Sequence, residues 1–153
     1  MGASQVCGFA KSDPSKETPN LQFHVQPIST DILGASKLHD FDGITPTVAN
    51  IRPSSRGEIS IVSNDSRVNP KIKMNYLSTQ DDRIVAAQGL KLVRKIMLES
   101  ETFKKYEPEE YRPGVHITDD EELVKAGSEF TQTIFHPVGT CKMGKDDDAV
   151  VND

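Results

Sequence analysis

Apolar and polar residues alternate from Leu21 to Val25 (Leu-Gln-Phe-His-Val) and predict a half-buried strand. Ile44 to Ile51 predicts a second strand, with Pro46 marking an edge position or a late start. Pro53 to Gly57 reads as a turn, and Glu58 to Val62 alternates with Ile59 and Ile61 on one face. A hairpin across the Ser-Arg-Gly turn is the simplest pairing. Lys71 to Met74 can add a short strand. The period then lengthens. Ala86, Leu90, Val93 and Met97 recur at helical spacing, behind a cap at Ser78 or Thr79 and the acidic first turn Asp81-Asp82. A second helix opens at Thr118-Asp119-Asp120-Glu121, a capping-box pattern, with Leu123, Gly127, Phe130 and Ile134 along one face. On this reading it runs into Phe135 and His136. Between the helices, Ser100 to Gly114 is charged, holds two prolines and predicts an exposed connection with one helical turn. Lys11–Asn20 and Gly34–Gly43 read as loops. Together these elements predict an α+β fold, an antiparallel β-sheet with helices packed on one face.

Composition narrows the classes. The 153 residues suffice for one domain with a modest core, and 35% hydrophobic with 27% charged residues fits a globular chain with polar loops. A net charge of −5 argues against a general nucleic-acid surface. No apolar run is long enough to span a bilayer. The first residues lack the basic-then-apolar order of a secretory leader, and two distant cysteines, Cys7 and Cys141, give no disulfide framework. A cytoplasmic setting is the expectation. No Gly-x-Gly-x-x-Gly run stands at a strand-to-helix junction, so no seat for a dinucleotide pyrophosphate is expected within the chain.

The chemistry concentrates at Phe135-His136-Pro137-Val138-Gly139-Thr140-Cys141-Lys142-Met143-Gly144. Pro137 disfavours helical geometry at His136, and Gly139 and Gly144 allow backbone angles other residues avoid. The result is a shaped loop that holds an imidazole. A lone histidine near a helix end is more often structural than catalytic; the motif around this one reverses that preference. Cys141 lacks the third group a thiol nucleophile needs. Cys7, Cys141 and His136 have no zinc-ligand spacing, so no metal is expected. His24 reads as a structural hydrogen-bonder within a strand, His39 and His116 as solvent-exposed. Asp146-Asp147-Asp148 reads as a solvated loop with at most weak attraction for a cation.

This loop resembles the histidine loop of the glucose–methanol–choline (GMC) family of flavin-dependent alcohol oxidoreductases, which reads His-Pro-x-Gly-Thr-Cys-x-Met-Gly. Other blocks resemble the same family in the same order: Asp13-Pro14, Leu21-Gln22-Phe23-His24, Arg52-Pro53-Ser54-Ser55-Arg56-Gly57, Asn75-Tyr76-Leu77, Gly89 to Arg94 and Ala149-Val150-Val151. The wording is similar to a choline-dehydrogenase-like or sorbose-dehydrogenase-like branch. The resemblance implies that residues 1–153 cover most of a C-terminal substrate-binding domain, with an FAD-binding domain of the same parent chain as partner. It implies FAD as cofactor of that parent, not bound to this fragment, which alone would be inactive. It implies a small alcohol as substrate, oxidised at a CH–OH group to a carbonyl with hydride transfer to FAD. His136 would be the catalytic base, and Ile134 and Phe135 would border the substrate. A rival reading is a non-catalytic ligand-binding or interaction domain that reuses the sheet; the histidine counts against it.

Overall fold

The computed structural model describes residues 4–32 and 36–152. The chain divides into two units, each built from two segments. The first takes the N-terminal part as far as Ser55 together with Tyr76–Phe130; the second takes Arg56–Asn75 and the residues from Thr131 onward.

The first unit holds a three-stranded antiparallel sheet in the order β1-β2-β3, with β1 at Val6–Ala10, β2 at Leu21–Gln26 and β3 at Thr45–Asn50. Phe23 lies opposite Gly8 and Val48, and Val25 lies opposite Pro46. Pro46 is thus on an edge strand, where its missing N–H costs no ladder bond. The alternation did not single out β1, whose Val-Cys-Gly-Phe-Ala run is interrupted by glycine. Its partner makes it a strand. Gln5 N donates to the Val25 carbonyl and Asn20 N to that of Ala10. The buried Asn20 side chain closes the connection by accepting from Ser12 N at 2.8 Å and donating to Ser12 Oγ at 3.0 Å.

Helix α1 (Gln80–Arg94) is capped by Thr79, whose hydroxyl accepts from Asp82 N. It continues into a π-helical turn, Lys95–Glu99, before the short α2, Glu101–Lys104. Its buried residues are Asp82, Val85, Ala87 and Gly89. The expected stripe of Ala86, Leu90, Val93 and Met97 is only half-buried. The sheet explains this shift. A Cβ on Gly89 would lie 3.1 Å from Val48 Cγ2 and 3.4 Å from Leu21 Cδ2. The line of closest approach is therefore built from small residues, which a search for large apolar side chains passes over. Helix α3 (Asp120–Ser128) packs on α1, and a Cβ on Gly127 would lie 3.1 Å from Leu90 Cδ1. Leu21, Val85, Ala87 and Leu123 form the buried apolar core of the described residues. Sheet, α1 and α3 thus give the α+β arrangement the pattern predicts.

Two details of α3 differ from expectation. Its cap is Asp119, not Thr118; the Asp119 carboxylate accepts from Glu121 N at 2.9 Å and Glu122 N at 3.0 Å. It ends at Ser128 rather than near Ile134 or Phe135. Glu129 N reaches only to the Ala126 carbonyl and Phe130 N to that of Gly127, so the last turn tightens and stops. The following Thr131 and Thr133 are β-branched and poor at extending it. His39, expected in solvent, has a side chain only 15% exposed. The loop expected at Gly34–Gly43 falls partly on residues 33–35, outside the described residues.

In the second unit, β4 (Glu58–Ser60) pairs with β5 (Lys71–Lys73), antiparallel, with Ile59 opposite Ile72. The predicted hairpin between the second strand and Glu58–Val62 is therefore not formed. Gly57 accounts for the actual pairing. A Cβ there would lie 2.2 Å from the Lys73 carbonyl oxygen, so only glycine admits the approach. Asn75 Nδ2 donates to the Arg56 carbonyl at 2.9 Å and closes the same loop.

Candidate functional site

The histidine loop belongs to the second unit. From Thr131 to Lys142 every residue is exposed. Phe135 has φ +62°, a left-handed conformation that is strained for a bulky side chain. Its N–H donates to Thr133 Oγ1 at 3.0 Å. Gly139 follows at φ +108°. These two positions bend the backbone on either side of His136-Pro137-Val138. Phe135 is 80% exposed and Val138 91%, while Ile134 is 41% exposed. The His136 imidazole makes no hydrogen bond or ion pair among the described residues. Ile134, Phe135 and His136 are thus consecutive on one loop, apolar side chains beside an uncommitted imidazole.

The far arm of the loop is better tied. Val150 N donates to the Lys142 carbonyl at 2.9 Å and Gly144 N to that of Val151 at 3.1 Å. Lys142 Nζ lies 2.6 Å from Asp146 Oδ2, and that contact chiefly holds the exposed Asp146 carboxyl below the usual range. Asp147 and Asp148 stay in solvent, as the sequence predicts. No group of three or more His, Cys, Asp or Glu side chains among the described residues could hold a metal. Cys7 and Cys141 are free and exposed. His24 is half-buried in β2 and His116 is exposed.

The most developed polar network lies in the first unit and was not foreseen. Asp82, 3% exposed, gathers the turn that follows β3. Its carboxylate accepts from Ser54 N at 2.8 Å, Ser55 N at 2.9 Å, and Asn50 Nδ2 and Ser54 Oγ at 3.2 Å each. Burial pushes the Asp82 pKa up, but the hydrogen bonds from Ser55 and Ser54 outweigh it and hold the carboxyl below its ordinary value. Ser55 Oγ in turn accepts from Ser78 N at 3.0 Å. The Ser54-Ser55 part of the turn is thus held by a helix residue distant in sequence. An acidic residue in a helix's first turn is routine, so the sequence carried no separate signal for this role. A second bracket is Arg94, whose Nε and Nη2 hold Glu110 at 2.7 and 2.9 Å and whose Nη1 reaches the Ile117 carbonyl at 3.0 Å.

Comparison with known proteins bears on the loop directly. The family model for the C-terminal region of GMC oxidoreductases matches residues 53–153, which include the Arg-Pro-Ser-Ser-Arg-Gly turn from Pro53 onward and the whole histidine loop. The chain belongs to the GMC oxidoreductase family. It is 37% identical to an oxygen-dependent choline dehydrogenase of Pseudomonas putida over 155 aligned residues, covering 99% of this chain and 27% of that protein. The corresponding enzyme of Proteus mirabilis is also 37% identical, again over 99% of this chain and 28% of its own length. The chain therefore spans little more than a quarter of these relatives. Among solved structures, pyridoxine 4-oxidase from Mesorbium loti superposes with a TM-score of 0.84 at 23% identity, over 98% of this chain and 30% of that one. A formate oxidase of Aspergillus oryzae RIB40, a structure concerned with FAD modification, gives 0.70 at 23% identity over 82% of this chain and 22% of that one. These structures share the fold. No helix among the described residues is long and apolar enough to cross a membrane.

Proposed function

We propose that this GMC chain is the substrate-binding portion of a flavin-dependent alcohol oxidoreductase and that His136 is its catalytic base. The observation that carries this reading is the exposed imidazole of His136, unpartnered among the described residues, on a loop bent by Phe135 and Gly139. A histidine with no internal hydrogen bond is free to take a proton from a ligand. Histidine is the side chain suited to general-base work near neutral pH.

Residues of this chain offer an imidazole and apolar contacts, a donor set that suits the reacting end of a flavin–alcohol pair rather than its phosphates. FAD, when bound, supplies the acceptor for the hydride. The chain's own task is the proton and the substrate. His136 accepts the hydroxyl proton as the carbon–hydrogen bond weakens, a contribution of about 10²–10⁴-fold for positioned bases. Ile134 and Phe135 border the alcohol, orient it and keep water away. The pyrophosphate seat lies with the FAD-binding domain of the parent protein, since this chain has no Gly-x-Gly-x-x-Gly run. Similarity to the choline dehydrogenases favours that branch over a sorbose-dehydrogenase-like one, and a small alcohol oxidised at CH–OH as substrate. Two free thiols suit a reducing, cytoplasmic setting.

The test is His136→Ala and His136→Asn in the full-length protein, with turnover and bound flavin measured together. Turnover should fall by about 10² or more while flavin content is kept. Turnover equal to the parent's in His136→Ala would show that the base is another group.

A further inference from the structure

Within the first unit, the connection from β2 to β3 meets the segment leading into α3 through side chains that the proposed chemistry does not use. His39 stacks on Phe41, with ring centres 4.8 Å apart and planes 19° apart, and meets Tyr111 edge-on at 5.0 Å. Ser29 Oγ lies 2.9 Å from His39 Nδ1. Across the ring, Asp31 Oδ1 lies 3.4 Å from His39 Nε2 and also receives Arg112 Nη2 at 2.9 Å. Arg112 in turn spreads over the Tyr111 ring at 5.3 Å. The charged and titratable groups facing His39 are therefore Asp31, Arg112 and Tyr111.

His39 Nε2 is shielded from water and has no hydrogen-bond partner among the described residues. Asp31 stands within ion-pair distance of it but outside hydrogen-bond geometry. A shielded polar atom left unpaired is unfavourable. A neutral imidazole carries a single N–H, and with the Ser29 hydroxyl donating to Nδ1 that N–H can face Asp31 without charge; the protonated ring donates from both nitrogens and adds the positive charge that a carboxylate attracts. We infer that His39 is a proton-operated latch. With a proton it donates to Ser29 and draws Asp31 into a charge-assisted hydrogen bond, which tightens the β2–β3 connection against Tyr111 and Arg112. Without the proton the contact loses its charge assistance and slackens. The segment it closes on is fixed, because Arg94 holds Glu110 and donates to the Gly114 carbonyl at 3.3 Å. Motion therefore falls on residues 28–32 and 36–42. Asp31 is half-exposed, so the effect is roughly two- to fivefold in the opening equilibrium, as for partly solvated ion pairs.

The test is amide hydrogen exchange on the full-length protein, corrected for intrinsic pH dependence, at about pH 5.5 and about pH 7.5, either side of the imidazole range. Residues 28–32 and 36–42 should exchange roughly two- to fivefold more slowly at the lower pH. His39→Phe keeps the stack on Phe41 and removes both nitrogens, and the difference should vanish. If His39→Phe fails to fold, Asp31→Asn serves, since it removes the charge that the proton attracts. Exchange with no pH difference in the parent, or a difference that survives either substitution, would overturn the latch.

Discussion

Replacing Asp82 tests how the turn after β3 is held. In Asp82→Ala the N–H groups of Ser54 and Ser55 lose their acceptors, as does Asn50 Nδ2, while the Ser54 hydroxyl keeps Thr79 Oγ1 at 2.6 Å. A stranded backbone donor costs about 1–3 kcal/mol, so two give about 2–6 kcal/mol before relaxation. Ser54 and Ser55 lie near the surface and water can recover part of this, which leaves an expected loss of about 2–4 kcal/mol. Asp82→Asn keeps one acceptor oxygen but turns an NH₂ toward a backbone N–H, and its loss should be smaller. The pH dependence has a definite sign. The folded carboxyl is held below its ordinary value, so its contribution is fully present above the unfolded pKa and is lost as pH falls through the folded one. The gap between parent and variant should be widest near neutrality and close under acid. Urea unfolding followed by far-ultraviolet circular dichroism, at about pH 7 and about pH 3, measures both. A variant within about 0.5 kcal/mol of the parent near neutrality, or a gap that widens in acid, would refute the reasoning.

Gly89→Leu should destabilise by about 1–3 kcal/mol in the same unfolding assay, because the side chain has no room between α1 and the Val48 and Leu21 side chains. The purified chain should be colourless, without flavin absorption after gel filtration, since it has no phosphate-binding glycine run. Phe135→Gly in the full-length protein removes both the left-handed strain and the apolar border beside His136. Stability should change by less than about 1 kcal/mol, with KM for the alcohol rising more than kcat falls.

Elements with a strong local signature were legible in the sequence. Strand β2 follows its alternation, and α1 begins behind Thr79 and its acidic first turn as the pattern predicts. What was hidden depends on partners far along the chain. Strand β1 is weak alone and is completed by β2. The buried side of α1 carries Asp82 and Gly89, whose polarity and size conceal a packing face from hydropathy. The register of β4 was misassigned because the tight contact at Gly57 involves Lys73 and Met74, not β3. The motif around His136 was readable residue by residue, yet the length of α3 was not. Apolar spacing through Phe130 and Ile134 suggested a longer helix, and the end at Ser128 follows from backbone bonds that no spacing reveals.

The second unit is discontinuous in the chain, and this sets an order of events during synthesis. The β4–β5 hairpin is local and can close on about the microsecond scale once Lys73 is free. The remainder of its unit begins at Thr131, after the whole of α1 and α3 has been made. Translation adds roughly 5–20 residues per second, so the hairpin waits through seconds of elongation for its other half. The loop that bears His136 thus arrives after the hairpin and after α1 and α3. By then the sheet of the first unit already has α1, whose Gly89 lies against Leu21.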